Sequence, residues 1–193
     1  MPAPPTVILL SKFDVAERQL NQAIRLFFGE GDPVSIHTLS ESAAQILYDI
    51  RHRFGAQSKI RDADIIKPES KKEWLASLFS SRNFLKHANR DPDELHEFKE
   101  EFNHFSLLDS VNMYLTAKKE WTPETIVYVQ WFAMTYPTMV RPQNQFSELM
   151  NRFRSQQQSS PAEYRALCCR VIRELRSANR AIHGVQVSAG LPE

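Results

Sequence analysis

The chain has 193 residues, of which 42% are hydrophobic and 24% are charged, and its formal net charge is +1. This composition excludes disordered and collagen-like proteins, and the length is sufficient for one large domain with its own hydrophobic core. No apolar run approaches the ~20 residues of a membrane span, and the opening "MPAPPTVILLSK" lacks a basic leader before a long hydrophobic stretch, so we expect a cytoplasmic protein without membrane association.

The first two predicted helices form a hairpin. Ser11 is a candidate N-cap, and the apolar positions of the helix that follows recur at three- and four-residue spacing up to Gly29: Leu20, Ala23, Ile24 and Phe27. Asp32 and Pro33 begin a second helix that extends to Gly55, with the apolar face Ile36, Leu39, Ala43, Ile46, Leu47 and Ile50. The short connection between the helices predicts antiparallel packing.

Three further helices are predicted up to Pro137. Residues 56–67 form a polar connection, and Ser70 with Glu73 predicts a capping box for a third helix with the stripe Trp74, Leu75, Leu78, Phe79 and Leu85. The turn "NRDPD" ends this helix. A fourth helix begins near Glu100, with the stripe Phe102, Phe105, Leu108, Val111 and Leu115, and a fifth begins at Thr122.

The C-terminal part contains a short predicted helix, "QFSELMNRF", and a last helix that begins with the capping box of Ser160 and Glu163. The apolar face of the last helix is Tyr164, Leu167, Cys168, Val171 and Leu175. No segment alternates long enough to predict a strand. We therefore predict an all-α antiparallel helical bundle over residues 11–137, a basic C-terminal helical extension over 138–183, and flexible tails at 1–10 and 184–193.

The charges are distributed unevenly. Residues 91–101 contain six acidic residues and one lysine, whereas residues 141–183 contain eight arginines and three glutamates. Arg173, Arg176 and Arg180 share the polar face of the last helix, which makes them candidate nucleic-acid-binding residues, with Arg152 and Arg154 as an extension. The same spacing is typical of a solvent-exposed helix face, and this is the interpretation we favour. A third interpretation is that the arginines pair with the acidic segment of a second subunit in a homodimer.

The segment "RNFLKH", Arg82 to His87, places polar residues on an apolar helix. At about 100° per residue, Arg82 falls near the middle of the third helix's stripe, while Asn83 and His87 fall together at its edge. A buried guanidinium requires a carboxylate, a phosphate or a partner subunit. Alternatively, the helix breaks at Ser80–Ser81, with Ser81 as the N-cap of a new helix. In that case the positions of Arg82, Asn83 and His87 cannot be calculated from the stripe of the third helix.

This segment resembles the Arg-x4-His motif of the HEPN superfamily, in which a polar residue, often Asn, follows the Arg. HEPN domains are small helical bundles, and the resemblance implies a metal-independent ribonuclease site formed where two protomers meet, or an RNA- or nucleotide-binding module. It implies that His87 acts as the acid/base at the ribose 2′-OH, that Arg82 stabilises the phosphorane and that Asn83 orients the phosphate or the His. An antitoxin-type protein partner is compatible with this resemblance, and the sequence does not identify one.

The longer stretch "NFLKHANRDPDELHEF" also resembles a family of uncharacterised bacterial proteins that share Asn-Phe-x-Lys-His-Ala and a following Asp-Pro. In this second resemblance the shared residues centre on Asn83, Lys86 and His87.

Each of these residues has a structural alternative. Lys86 and His87 are suited to satisfying carbonyls at a helix C-terminus, Asn83 to an inter-helix hydrogen bond, and Arg82 to an ion pair with the first hairpin. His37 and Glu41, one turn apart, either complete a polar pocket with His87 or form an exposed i,i+4 pair, and the exposed pair is the interpretation we favour. On these alternatives the chain is a non-catalytic helical interaction protein.

We expect no cofactor and no metal site. His52, His96 and His104 lack the spacing of a metal set, and the only cysteines, Cys168 and Cys169, are adjacent within a helix.

Overall fold

The computed structural model describes residues 7–62, 68–87, 89, 92–137, 139 and 160–178. The described residues form seven α-helices and one short 3-10 helix, Arg51–Arg53. The α-helices are α1 Lys12–Phe28, α2 Pro33–Ile50, α3 Pro68–Leu78, α4 Ser80–Lys86, α5 Phe102–Lys118, α6 Pro123–Thr135 and α7 Pro161–Ala178. No strand occurs in the described ranges, so the predicted all-α class is confirmed.

One hydrophobic core joins α1, α2, α5, α6 and α7. α2 packs between α1 and α5, and α6 packs against α1, α5 and α7. The largest side chains in the core include Leu20, Ile24, Phe28, Leu47, Leu107, Met113, Tyr114, Ile126, Tyr128 and Phe132. α7 contributes Cys168 and Ile172 to the same core, so the described part of the predicted extension packs on the bundle.

The helix ends of the first hairpin agree with the sequence. Ser11 forms a capping box with Asp14, and the main-chain N–H of Gly29 donates to Arg25 at the other end of α1. Asp32 caps α2 through the N–H of Ser35, but α2 ends at Ile50, where the 3-10 helix begins. Residues 29–32 therefore reverse the chain direction between two helices that pack together.

The third predicted helix begins earlier than expected and is interrupted. α3 starts at Pro68, so the predicted cap Ser70 lies inside it. The helical assignment stops at Leu78 and resumes at Ser80, with Phe79 (φ −95°, ψ 5°) as the N-cap residue of α4. The helix does break, as the alternative predicted, but the break lies at Phe79 rather than at Ser80–Ser81, and Ser81 lies inside α4 rather than at its cap.

The buried face of α5 differs from the prediction. Phe102 is among the exposed large hydrophobic side chains, and Phe105, Leu108 and Leu115 are only partly buried. Val111 is buried as predicted, and the other buried positions of α5 are Asn103, Ser106, Leu107, Asp109, Ser110, Met113 and Tyr114. The predicted stripe is therefore only partly correct, because four of the eight buried residues of α5 are polar and an apolar periodicity cannot identify them.

The last two helices begin as predicted. Thr122 caps α6 in a capping box with Thr125, and Ser160 forms the predicted capping box with Glu163. Tyr164, Val171 and Leu175 of α7 pack at the edge of the core around Cys168. The short helix predicted at 145–153 lies outside the described residues. No helix in the described part of the chain has both the length and the hydropathy to span a bilayer.

Candidate functional site

Arg82 projects from α4 onto α2. Its Nη1 donates a 2.7 Å hydrogen bond to Oε1 of Gln45, and its guanidinium carbon lies 4.0 Å from the centre of the Phe79 ring. No carboxylate of the described residues lies within ion-pair distance, unlike the case of Arg61 and Arg176. The predicted ion pair with the first hairpin is therefore replaced by a hydrogen bond to an amide of that hairpin, and Arg82 has no direct counter-ion among the described residues.

The electrostatic surroundings of Arg82 reflect partial burial. Desolvation lowers the pKa of Arg82, the charge of Arg61 lowers it further, and the carboxylates of Glu41 and Asp49 raise it. An arginine remains protonated under such a shift, because its ordinary pKa is above 12. A half-buried positive charge of this kind attracts an anion.

The other residues of the predicted motif lie around Arg82 and beyond it. Asn83 is exposed, and its Oδ1 lies 3.5 Å from Nη2 of Arg82. His87 follows the last residue of α4 and is half-buried, and Lys86 is exposed. The side chains of Lys86 and His87 make no hydrogen bond to a described residue, so the helix-end role is not seen. No hydrogen bond joins the side chains of Arg82 and His87 in the described structure.

His37 and Glu41 are buried, with 2% and 5% of their surfaces exposed, so the favoured prediction of an exposed pair is wrong. α2 packs on α5 along this edge, and each side chain has a partner there. His37 Nδ1 is 3.0 Å from Oδ1 of Asn103, and Glu41 Oε1 accepts a 2.6 Å hydrogen bond from Ser106. His37 and Glu41 therefore belong to a polar interface between α2 and α5.

The second oxygen of Glu41 binds Arg61. Arg61 is buried in the loop after the 3-10 helix and donates from Nη2 to Glu41 at 2.9 Å and from Nη1 to Asp109 at 2.8 Å. Asp109 also accepts hydrogen bonds from Ser58 Oγ and from the main-chain N–H of Lys59. This buried arginine between two carboxylates attaches loop 56–62 to α2 and α5.

Residues 92–101, hereafter the strap, lie beside this interface. His96 Nε2 is hydrogen-bonded to Ser81 Oγ at 2.7 Å, and the His96 ring stacks on Phe84 with centroids 4.9 Å apart. The Phe98 ring meets His37 edge-on at 5.3 Å. The strap therefore joins α4 to α2 through side-chain contacts at His96 and Phe98.

Burial lowers the pKa of His37, and the neighbouring charges act in both directions. Glu41 and the hydrogen bond that His37 Nδ1 makes to Asn103 raise the pKa of His37, whereas His96 and Arg82 lower it. The ordinary pKa of a histidine is about 6.5. Because the pKa of His37 is lowered from that value, its imidazole is predominantly neutral near pH 7.

The candidate nucleic-acid-binding arginines of α7 have different environments. Arg173 is exposed, with its Nε 3.4 Å from the carbonyl of Cys169, whereas Arg176 Nη1 lies 2.6 Å from Oε1 of the buried Glu124. Arg25 on α1 binds the same oxygen at 2.6 Å. Arg180, Arg152 and Arg154 lie outside the described residues, so only Arg173 is a described member of the stripe with an exposed side chain.

In the described part of the chain, no group of three or more His, Cys, Asp or Glu side chains is arranged to hold a metal ion. The thiol of Cys168 is buried, and burial raises its pKa to about 12, which keeps it protonated and unreactive. Comparison with protein-family models, with curated proteins and with solved structures found no match to this chain.

Sequence reasoning missed Arg61, Asn103, Asp109 and the strap contact His96–Ser81. A signal for part of this set is present. Asn103, Ser106 and Ser110 recur at three- and four-residue spacing on α5, as do His37, Ser40 and Glu41 on α2. Each of these helices carries a stripe of polar residues beside its apolar residues. Two such stripes indicate a polar interface between the helices, and apolar periodicity alone does not detect it.

Proposed function

We propose that this chain is a HEPN-like helical protein that binds RNA at Arg82 and cleaves it as a metal-independent endoribonuclease. The observation that carries the proposal is the state of Arg82. Its guanidinium is held by Gln45 and Phe79 but has no carboxylate partner among the described residues. A positioned, uncompensated arginine is suited to bidentate contact with phosphate oxygens.

His87 and Asn83 supply the remaining groups of the proposal. Both residues are close to Arg82 in sequence, and both side chains are at least partly exposed to solvent. Neither side chain makes an ion pair or a strong hydrogen bond in the described structure. An imidazole titrates near neutral pH and can transfer the proton of a ribose 2′-OH. Arg82 stabilises the charge that develops on the phosphorane, and Asn83 orients the phosphate.

Arg82 and His87 of one protomer make no hydrogen bond to each other, so the proposed site requires a second copy of the chain. In the HEPN-like arrangement, two protomers bring their copies of the motif together, so Arg82 of one protomer serves the phosphate beside His87 of its partner. We therefore propose a homodimer with the two α4 helices at its interface. Analytical ultracentrifugation tests this, and a strictly monomeric protein at assay concentration contradicts it.

Cleavage of single-stranded RNA in EDTA tests the activity. We expect wild-type protein to cut RNA, and Arg82→Ala and His87→Ala to reduce the rate at least about 100-fold, the size of one general acid–base or oxyanion contribution. Arg53→Ala, which removes an exposed arginine from the 3-10 helix, is the matched charge control and should retain activity.

Stability measurements separate a chemical role from a structural one. We expect the melting temperatures of Arg82→Ala and His87→Ala to stay close to that of wild type, because neither removes an ion pair from the described structure. RNA binding without cleavage would limit the proposal to a binding module. No binding, or cleavage unchanged in both variants, would overturn it in favour of a non-catalytic helical protein.

A further inference from the structure

The orientation of the Asn103 side chain fixes the tautomer of His37. Asn103 Nδ2 lies 2.9 Å from the carbonyl oxygen of Pro33, which can only accept a hydrogen bond. The amide nitrogen must therefore face Pro33, and the amide oxygen faces Nδ1 of His37 at 3.0 Å. Since that oxygen only accepts, Nδ1 carries the proton and Nε2 presents a lone pair.

This lone pair has no partner in the described structure. His37 Nε2 is buried and makes no hydrogen bond to any described residue. A buried acceptor without a donor costs free energy, and native proteins contain few of them. The adjacent Ser40 does not serve it, because Ser40 Oγ donates to the carbonyl of His37.

We infer that His37 is a ligand-binding residue that accepts a hydrogen bond from a hydroxyl of the molecule whose phosphate binds Arg82. The ligand class is an anion with a neighbouring hydroxyl, which in nucleic acids means a ribonucleotide rather than a deoxyribonucleotide. This inference rests on the proposed function and adds the residue that distinguishes RNA from DNA.

The charges around His37 favour a neutral donor. Burial lowers the pKa of His37 most, and His96 and Arg82 lower it further against the opposing charge of Glu41, so the net effect disfavours a positive charge on His37. Glu41, the nearest acid on the same helix, is already bound by Arg61 and Ser106. A hydroxyl satisfies Nε2 without adding charge, while the phosphate of the same ligand compensates Arg82.

The ligand reaches His37 when the strap moves. Phe98 covers His37, and no main-chain hydrogen bond joins residues 92–98 to the rest of the described chain. The strap is held through the His96–Ser81 hydrogen bond and the ring contacts of His96 and Phe98. A segment held by so few contacts opens at lower cost than the helices around it.

Binding of an oligoribonucleotide and of the oligodeoxyribonucleotide of the same sequence tests the inference. The parent protein is His87→Ala, which prevents cleavage, and fluorescence anisotropy reports affinity. We expect the parent to prefer RNA by about three- to tenfold, the equivalent of one hydrogen bond. His37→Phe keeps a ring against Phe98 without the acceptor and should remove this preference while leaving DNA affinity unchanged.

The controls separate this inference from the proposed function. Arg82→Ala should weaken RNA and DNA binding alike, and His52→Phe, at an exposed histidine, should change neither. If Arg82→Ala weakens binding but His37→Phe keeps the RNA preference, only the role of His37 is overturned. If Arg82→Ala has no effect, or the parent binds neither oligonucleotide, both proposals are overturned.

A measurement on the His87→Ala parent avoids dependence on the folding of His37→Phe. Long-range ¹H–¹⁵N NMR spectra identify the protonated nitrogen of each histidine and report hydrogen bonds to the other. We expect Nδ1 of His37 to be protonated and the Nε2 resonance to shift when a ribonucleotide is added, but not with the matching deoxyribonucleotide. A protonated Nε2 in the free protein, or equal shifts with both ligands, overturns the inference.

Discussion

Asp109 on α5 and Arg61 in the loop after the 3-10 helix form a buried ion pair, with Oδ2 and Nη1 2.8 Å apart. The two residues are separated by α3, α4 and the strap in sequence, so this pair is a long-range connection of the fold. Burial raises the pKa of Asp109, while Ser58, Arg61 and two main-chain N–H groups lower it. Burial outweighs these interactions, so the net pKa of Asp109 is raised.

Asp109→Ala should destabilise the protein by about 3–5 kcal/mol, because it leaves Arg61 buried with only Glu41 as a partner and removes the acceptor for loop 56–62. Urea unfolding followed by circular dichroism measures the free energy of unfolding. Asp93→Ala, in the exposed part of the strap, is the matched control and should change it by less than about 0.5 kcal/mol. A loss below about 1 kcal/mol for Asp109→Ala would show that the pair contributes little.

Glu124 should determine how α7 is attached to the bundle. Its Oε1 is shared by Arg25 of α1 and Arg176 of α7, and its side chain is fully buried. Glu124→Gln should therefore cost about 3 kcal/mol, because both arginines lose their ion pair with this buried carboxylate. Arg176→Ala should cost less, about 1–2 kcal/mol, since Arg25 still compensates the carboxylate.

Thermal unfolding of these two variants and of Arg173→Ala separates structure from binding on α7. Arg173 is exposed, so its removal should leave stability unchanged. If Arg176→Ala weakened RNA binding as strongly as Arg82→Ala without lowering stability, the ion pair would not be its principal role, and the α7 arginines would regain the nucleic-acid-binding role predicted from the sequence.

The stability of the protein should fall as the pH decreases below about 6.5, the ordinary pKa of histidine. Burial lowers the pKa of His37 and of His104, and the charge of Arg165 lowers that of His104 further. Below pH 6.5 the unfolded chain binds protons at these positions before the folded chain does, so acidification favours unfolding until the pH reaches the folded-state values. Asp109, with a raised pKa, acts in the opposite direction at lower pH.

Free energies of unfolding measured between pH 7.5 and 5.5, roughly centred on the histidine range, test this dependence. His104→Gln should reduce the slope, and His52→Gln, at an exposed position, is the control. A stability that is constant over this range, or a slope unchanged by His104→Gln, would contradict the prediction.

The sequence by itself determined the helical class, the first hairpin, and the starts of α6 and α7. These features depend on local chemistry: a capping side chain such as Ser11 or Thr122 satisfies N–H groups within three residues, and Pro33 fits the first turn of a helix. Apolar spacing also identified the buried face of α1, since Leu20, Ala23, Ile24 and Phe27 are all in the core.

Only the tertiary structure decided which polar residues are buried and what they contact. The cited partners of Glu41, Arg61 and His37 lie between 20 and 66 residues away in sequence. No local sequence pattern specifies pairing at such a separation. The same holds for Arg82, whose neighbour Gln45 comes from another helix. Burial makes such pairing necessary, because an unpaired polar group in the core costs free energy, but the packing of the helices selects the partners.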